Sequence, residues 1–358
     1  MFANAGSACA LIAGLPAAAR AARAVADAGL ARCAIMIADG SEPDEVTRAE
    51  TQRLVADGEP EWLKGCECGE ALPSAPTLLI PGEWLVPAEA IRALLAGGAG
   101  RGGGMVLAPC PGDPDALAAL GKPEAAASYS LAARRIVTST AKPGDGIVSR
   151  HLNRPVSQAI SRQLLRFGAI RPGHATMITA LLAVVMFAAL LSGTTGGLIG
   201  GALLFQAASI FDGVDGEIAR ATFRATPQGA RLDSLVDAFT NLACIGGVAL
   251  NLYFQGESAA ALAGAAGLAL LASGLATIAW GNRGRPGGLT FNAVKEHFSA
   301  RGSALLTVLT WLTSRDFFAL AGALLILAGF APLAMYALAV VASGWLVVVL
   351  AVTMRHST

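Results

Sequence analysis

The chain has 358 residues, of which 54% are hydrophobic and only 14% are charged, and its formal net charge is +1. Soluble globular domains carry about 25% charged residues, so this composition argues against an ordinary soluble protein and favours a membrane protein. The near-neutral charge gives no support for nucleic acid as a partner. The length is sufficient for two domains.

The cysteines and the N-terminal residues indicate a domain in a reducing compartment. Of the six cysteines, only Cys66 and Cys68 lie close together in the sequence. A structural zinc site needs about four ligands, so free thiols are expected. Residues 1–20 lack the basic start and the long apolar run of a signal peptide. We interpret them as the first strand and turn of a cytosolic domain.

A small α/β domain is predicted for residues 1–145. Short apolar runs typical of buried strands alternate here with stretches typical of helices. Strands are expected at Ala34–Ala38, Thr77–Ile80 and Met105–Ala108, and helices at Ala17–Ala28 and Pro87–Ala96. This alternation indicates a mainly parallel sheet.

Residues 146–171 are predicted to be a junction that contains an interfacial helix. Between Asn153 and Phe167, apolar residues recur at helical spacing, and arginines occupy other positions. This pattern favours an amphipathic helix on the inner membrane surface. The alternative is a soluble helix packed on the α/β domain.

From residue 172 onwards the apolar runs are about 20 residues long, the length that crosses a bilayer. They occupy roughly residues 174–192, 195–218, 232–253, 258–280, 316–332 and 334–353. The expected fold class is therefore an α-helical membrane protein with six transmembrane helices in residues 172–358, preceded by the small α/β domain.

Basic residues alternate between the loops of this six-span arrangement. They precede the first span and lie in the loops after the second, the fourth and the sixth spans, whereas the other three loops have no Lys or Arg. Because positive residues remain on the cytoplasmic side, both termini are predicted to be cytoplasmic. In a bacterium the protein would lie in the inner membrane.

Four aspartates at the cytoplasmic ends of the second and third spans form the candidate site. Asp212 and Asp215 are three residues apart, and Asp233 and Asp237 are four apart, so each pair shares a helix face. Acidic groups at such positions are costly without partners, which makes them functional candidates. Four facing carboxylates would repel one another without a cation, and oxygen ligands suit Mg²⁺ or Mn²⁺.

Small and basic residues beside the aspartates fit a nucleotide diphosphate. Gly216 and Gly229 allow a ligand to approach the backbone, Ala219 keeps the same surface open, and Arg220 can bind phosphate. The alternative is ordinary helix-end charge, which accounts for Glu217 and Arg224 but not for four aspartates in two same-face pairs.

The segment resembles the signature of the CDP-alcohol phosphotransferase family. The signature is Asp, two residues, Asp-Gly, two residues, Ala-Arg, eight residues, Gly, three residues, Asp, three residues, Asp. Its fixed positions are occupied by Asp212, Asp215, Gly216, Ala219, Arg220, Gly229, Asp233 and Asp237.

This resemblance implies six transmembrane helices, a site that faces the cytoplasm, and commonly a homodimer. It implies metal-dependent transfer of a phosphatidyl or polyol-phosphate group from a CDP-linked donor to an acceptor hydroxyl, with release of CMP. Asp212, Asp215 and Asp233 would be metal ligands, and Asp237 a ligand and the general base. Gly216, Arg220 and Gly229 would hold CMP. The donor would be CDP-diacylglycerol or a CDP-polyol, and the product a phospholipid or a polyol phosphodiester.

The junction Lys142–Ser157 and the run Arg315-Asp316-Phe317 resemble bifunctional inositol-phosphate cytidylyltransferase/phosphotransferase proteins. An active nucleotidyltransferase needs a basic residue in the glycine-rich loop after its first strand. Here Leu11–Ala17 has none before Arg20, and the later acidic site is reduced to Pro81-Gly82-Glu83. We therefore expect an inactive, nucleotidyltransferase-like N-terminal domain.

Two other functions are compatible with a membrane protein of this composition. A transporter would place its polar site near the bilayer midplane, whereas these aspartates lie at helix ends. A non-catalytic scaffold would have no reason to keep four costly charges. Release of CMP from a labelled CDP-alcohol would distinguish the three.

Overall fold

The computed structural model describes residues 1–30, 32–55, 60–64, 77–97, 101–102, 105–108, 125–142, 145–281 and 315–355. Cys66, Cys68, Cys110 and the basic residues between 283 and 301 lie outside these ranges. The chain forms two compact units. The first unit comprises Met1–Thr140, Ile160–Ile170 and Glu217–Arg224, and the second comprises Ala141–Ala159, Arg171–Gly216 and Ala225–Thr358.

The first unit has the predicted α/β composition. Its strands are β1 (Leu11–Ile12), β2 (Leu15–Pro16), β3 (Ala34–Ile37), β4 (Glu61–Lys64), β5 (Thr77–Leu79), β6 (Arg101–Gly102) and β7 (Met105–Ala108). Its helices are α1 (Ala5–Cys9), α2 (Ala17–Asp27), α3 (Glu45–Leu54), α4 (Ala88–Gly97) and α5 (Ala125–Ser139). Residues 1–20 contain a strand and a turn, at β1 and at Ala13 and Gly14. They begin, however, with the short helix α1, which Asn4 caps by accepting from the Ser7 amide at 2.8 Å.

The expectation of a mainly parallel sheet is wrong for the strands that the structure describes. β3 and β4 pair in parallel, but β7 pairs antiparallel with both β5 and β6, and β1 pairs antiparallel with β2. A parallel pair needs a crossover connection of a dozen or more residues, and β6 and β7 are only two residues apart in the sequence. The alternation of strands and helices in the sequence does not indicate this direction of pairing.

The core of the first unit lies between α2 and the strands. Phe2, Ile12, Ile35 and Ile37 are at most 3% exposed. They pack in one cluster with the alanines on the buried face of α2. Alanine leaves room for the backbone of α2 to approach the strands closely, so α2 is held firmly at this position.

The junction is a π turn at Ser149–Asn153 followed by α6 (Arg154–Leu164). Its buried face is largely polar: Asn153, Ser157 and Ser161 are at most 4% exposed. Apolar Val156 and Phe167 are instead 41% and 65% exposed. Apolar side chains of the junction are thus exposed here, whereas Leu165 just after α6 is 2% exposed. The position of this helix on the membrane surface stays a prediction.

The second unit is helical, and each of its long helices lies at a predicted span. The helices are α7 (Pro172–Leu190), α8 (Thr195–Ala221), whose last turn belongs to the first unit, α9 (Pro227–Phe254), α10 (Ser258–Gly281), α11 (Arg315–Leu327) and α12 (Ala331–Arg355). Helices α7, α8 and α9 are long and apolar enough to cross a membrane. Shorter apolar stretches are described in α10, α11 and α12, so three of the six predicted spans are supported by length and composition.

The membrane-type helices pack through small residues, as helices do in lipid. Leu190 at the end of α7 is fully buried. A Cβ atom added to Gly247 on α9 would lie 2.7 Å from Leu190 Cδ1, and Gly201 on α8 also has Leu190 as its nearest neighbour. Met177, Leu181 and Val184 on the outer face of α7 are at least 55% exposed, a stripe suited to lipid.

Candidate active site

Three of the four predicted aspartates converge between α8 and α9. Asp212 on α8 and Asp233 and Asp237 on α9 each offer one carboxylate oxygen, and these atoms all lie within 4.8 Å of one another. All three side chains are half-buried. The i,i+4 spacing of Asp233 and Asp237 places both on the α9 face that meets α8, as the sequence predicts.

The fourth aspartate, Asp215, lies deeper beside the same group. It is 6% exposed, and its Oδ2 accepts a hydrogen bond from the Thr176 hydroxyl of α7 at 2.7 Å. Its carboxyl is also a hydrogen-bonding neighbour of Asp233. Asp215 therefore joins the cluster through Asp233, while Thr176 fixes the orientation of its side chain.

Helix α9 begins with a capping sequence that fixes its first turn. The Thr226 hydroxyl accepts a hydrogen bond from the Gly229 amide at 3.0 Å, and Pro227 occupies the first turn. Threonine at the cap and proline just after it are both favoured at helix starts. Gly229 is exposed and leaves this turn without a side chain.

The remaining predicted residues lie on α8 after Asp215. Gly216, Ala219 and Arg220 follow Asp212 at helical spacing, so they continue the face that carries Asp212. All three are half-buried. The Arg220 Nε donates a hydrogen bond to the Thr140 carbonyl at 2.8 Å within the first unit.

An ion pair between Asp145 and Arg154 is buried, and Arg154 also lies against α8 at Gly213. Arg154 donates to both Asp145 oxygens, at 2.7 and 3.1 Å, and both side chains are 11% exposed. Burial alone would raise the pKa of Asp145, but the hydrogen bonds and charge of Arg154 hold it below its usual value. A Cβ atom at Gly213 would lie 3.1 Å from Arg154 Nη1, so glycine allows this close approach one residue after Asp212.

A polar network lies one turn before Asp212 on α8. The Asn153 amide donates to the Ser209 hydroxyl at 3.3 Å and accepts from Gln206 at 2.9 Å. Ser209 also lies 3.5 Å from Asp316 Oδ1 at the start of α11. Asn153 and Ser209 are at most 5% exposed. Polar groups at this depth fix the rotation of α8 because each needs a partner.

Comparison with known proteins agrees with this geometry. Residues 170–285 match the family model described as CDP-alcohol phosphatidyltransferase. This part of the chain is therefore similar to CDP-alcohol phosphatidyltransferases. It contains α7, α8, α9 and α10 with all four aspartates.

The curated relatives are named bifunctional IPC transferase and DIPP synthase. The chain is 42% identical to that of Aquifex aeolicus over 109 residues, which are 30% of this chain and 24% of the relative. It is 40% identical to that of Thermococcus kodakarensis over 111 residues, again 30% and 24%. For Rubrobacter xylanophilus the identity is 34% over 145 residues, 40% and 31%. The chain therefore spans only about a quarter to a third of these relatives' length.

The donor set of the aspartate cluster fits a hard divalent cation. Carboxylate oxygens are the ligands that Mg²⁺ and Mn²⁺ prefer, and Asp212, Asp233 and Asp237 each bring one such oxygen to within 4.8 Å of the others. Three clustered carboxylates also need positive charge to remain ionised together.

Sequence reasoning missed several residues that surround the aspartate cluster or the end of α8. Glu217 is not an ordinary surface charge, because it is fully buried and accepts from the Ser161 hydroxyl at 2.6 Å. Arg224 forms an ion pair with Glu50 rather than facing solvent. Thr176 could have been noticed in the sequence, because it is a polar residue in the first turns of an apolar helix that begins at Pro172. His174, near the start of α7, accepts a hydrogen bond from the Arg171 amide at 3.3 Å.

Proposed function

We propose that the protein transfers a phosphoalcohol group from a CDP-linked donor to an acceptor hydroxyl and releases CMP. The observation that carries this proposal is the convergence of Asp212, Asp233 and Asp237 within 4.8 Å, inside the segment that matches the CDP-alcohol phosphatidyltransferase family. The four aspartates occupy the fixed acidic positions of that family's signature.

Asp212, Asp215, Asp233 and Asp237 would hold Mg²⁺ or Mn²⁺. Such an ion would supply charge neutralisation for the diphosphate and for the departing CMP. Asp215 would bind the ion with its carboxylate oriented by Thr176, whose hydroxyl donates to Asp215 Oδ2 at 2.7 Å. Asp212, Asp233 and Asp237 would each contribute a carboxylate oxygen from the cluster within 4.8 Å.

Asp237 would take the proton of the acceptor hydroxyl. A general base must be close to the reacting atoms, and Asp237 lies on the same face of α9 as Asp233, one turn further along. The acceptor oxygen then forms a bond to the donor phosphorus next to the alcohol, and the bond from this phosphorus to the CMP oxygen breaks. The remaining residues would hold CMP: Gly216, Ala219 and Gly229 by allowing close approach, and Arg220 by charge.

The proposed donor is the one implied by the family, and the proposed product is the one favoured by the names of the relatives. A CDP-alcohol phosphatidyltransferase domain implies CDP-diacylglycerol or a CDP-polyol as the donor. The names IPC transferase and DIPP synthase belong to relatives aligned over a quarter to a third of their length. They favour a polyol phosphodiester as the product, ahead of a phospholipid.

We further propose six transmembrane helices with the site and both termini in the cytoplasm. The three long apolar helices and the three shorter apolar stretches lie at the six predicted positions. The basic loops of the sequence supply the orientation. A homodimer is the assembly implied by the family.

The N-terminal domain is proposed to lack cytidylyltransferase activity. Where a phosphate loop would lie, the chain makes a two-residue turn between β1 and β2, with Ala13 and Gly14 at positive φ. Arg20, the first basic residue after this turn, donates to the Ile12 and Ala13 carbonyls at 2.6 and 2.9 Å. The space over Gly14 is filled by Leu165, 2.6 Å from an added Cβ atom. No phosphate could enter there without displacing these contacts.

A donor-by-acceptor screen tests the proposed reaction. Membranes that contain the protein are incubated with Mg²⁺ or Mn²⁺, with labelled CDP-diacylglycerol or CDP-inositol, and with acceptor alcohols, and CMP release is measured. Asp237→Asn is expected to lower the rate by at least about 100-fold, and Asp39→Asn in the first unit serves as the control, because Asp39 bonds locally to Ser41. Absence of CMP release with every donor would favour a scaffold, and full activity of Asp237→Asn would refute the role of Asp237.

A further inference from the structure

The last turn of α8 ends in the first unit, and the backbone there makes a complete C-terminal cap. Phe223 has φ of 52°, in the left-handed region. The Arg224 amide donates to Ala219 O at 2.8 Å, and the Phe223 amide donates to Arg220 O at 3.4 Å. This is the hydrogen-bond pattern of a Schellman cap, in which glycine usually takes the left-handed position.

Phenylalanine at this position is unusual because its side chain disfavours left-handed backbone. The surrounding first unit must therefore supply the interactions that hold it there. The guanidinium carbon of Arg23 on α2 lies 5.3 Å from the centre of the Phe223 ring, a cation–π distance. The Phe223 carbonyl accepts from Arg53 Nη1 of α3 at 3.2 Å.

Two arginines of the α/β domain bind the remaining carbonyls at this helix end. Arg20 Nη2 donates to Ala221 O at 2.8 Å, and Arg53 Nη2 donates to Thr222 O at 2.9 Å. The carbonyls of 221, 222 and 223 follow the last helical hydrogen bonds and have no amide partner within α8. Positive charge at a helix C-terminus is also favourable.

A shared glutamate connects the arginines on the two sides of this contact. Glu50 on α3 pairs with Arg53 at 2.9 Å and also with Arg224. The side chains of Glu50 and Arg224 are 15% and 11% exposed. We call Arg20, Arg23, Glu50 and Arg53, with the helix end that they hold, the arginine clasp.

We propose that the α/β domain serves the transferase as a positioning device, through the arginine clasp. It fixes the end of α8 on which Ala219 and Arg220 follow Asp212 and Asp215. This inference rests on the proposed function, in which Ala219 and Arg220 hold CMP. It gives the domain a role that needs no nucleotidyltransferase activity and that uses Arg20, the first basic residue after the β1–β2 turn.

The clasp is tested with the full-length protein in detergent or lipid. Arg53→Ala removes two hydrogen bonds to the helix end. We expect about a tenfold rise in KM for the CDP-linked donor, which corresponds to about 1.4 kcal/mol, with KM for the acceptor unchanged. Arg48→Ala is the matched control, because Arg48 lies on the same helix but pairs with Glu42. A purely structural role would lower the active fraction and leave KM for the donor unchanged.

A suppressor variant sharpens the test. Phe223→Gly removes the cost of the left-handed backbone, so the cap forms without the clasp. In combination with Arg53→Ala, it is expected to return KM for the donor to within about threefold of the native value. Hydrogen–deuterium exchange of residues 217–226 should rise in Arg53→Ala and fall again in the double variant.

Three results would overturn the inference. They are unchanged exchange in Arg53→Ala, increased exchange with unchanged KM for the donor, and an equal response of Arg48→Ala. If the native protein releases no CMP, the proposed function fails. The clasp is then judged by exchange alone, and it stands only if Arg53→Ala deprotects residues 217–226 and Phe223→Gly restores them.

Discussion

Thr176→Val removes one hydroxyl group from beside the aspartate cluster and keeps the shape of the side chain. The Thr176 hydroxyl donates to Asp215 Oδ2 at 2.7 Å, and these two residues are 7% and 6% exposed. A hydrogen bond to a charged group contributes about 1.5–3 kcal/mol, and each 1.4 kcal/mol corresponds to about a factor of ten. Asp215 should therefore be a poorer metal ligand in the variant, with Mn²⁺ bound about 10- to 100-fold more weakly.

The assay is Mn²⁺ titration of the purified protein, followed by electron paramagnetic resonance, together with CMP release at several Mn²⁺ concentrations. Excess Mn²⁺ should restore part of the activity, because the variant lacks affinity rather than a catalytic group. Thr176→Ser keeps the hydroxyl and should bind Mn²⁺ like the native protein. Native affinity in Thr176→Val would refute the reasoning that Thr176 orients Asp215 for metal binding.

Three further predictions concern stability and the α/β domain. Ser161→Ala should lower the free energy of unfolding by roughly 1–2 kcal/mol, because Glu217 is fully buried and loses a donor; thermal inactivation measures it, with exposed Gln163→Ala as control. The pKa of Asp145 is lowered by Arg154, so this pair contributes stability above about pH 4 and loses it as the pH falls further; an Asp145→Asn variant whose acid unfolding matched the native curve would contradict this. The full-length protein given CTP and a polyol phosphate should release no pyrophosphate, and measurable release would disprove the loss of cytidylyltransferase activity.

Much of the site could be predicted from sequence because its determinants are local. The spacing of Asp233 and Asp237 fixes their shared face whatever surrounds the helix, and the fixed positions of the family signature follow one another within 26 residues. Run length and composition placed α7, α8 and α9 within a few residues of their observed bounds. Each of these signals depends on one helix or on one short connection.

The parts that could not be predicted depend on contacts between distant segments. The antiparallel pairing of β5 with β7 joins strands more than twenty residues apart in the chain, and neither apolar run indicates the direction of the other. The burial of Glu217 depends on Ser161, 56 residues away, and nothing near Glu217 distinguishes it from a surface charge. The arginine clasp joins residues about 170 positions apart. The sequence of the N-terminal domain lacks the residues expected for nucleotidyltransferase activity, and this lack gives no indication of a contact with α8.

The seating of Leu190 between two helices has a consequence for the site. Gly201 and Gly247 flank this side chain, and they stand 11 and 10 residues from Asp212 and Asp237, or about 15 Å along each helix. One leucine thus acts as the spacer at the far end of the two helices that carry the carboxylates. A larger residue in place of either glycine would collide with Leu190 and increase the separation of α8 and α9. A substitution at one of these three positions therefore needs a compensating change at another, although all three lie away from the aspartate cluster.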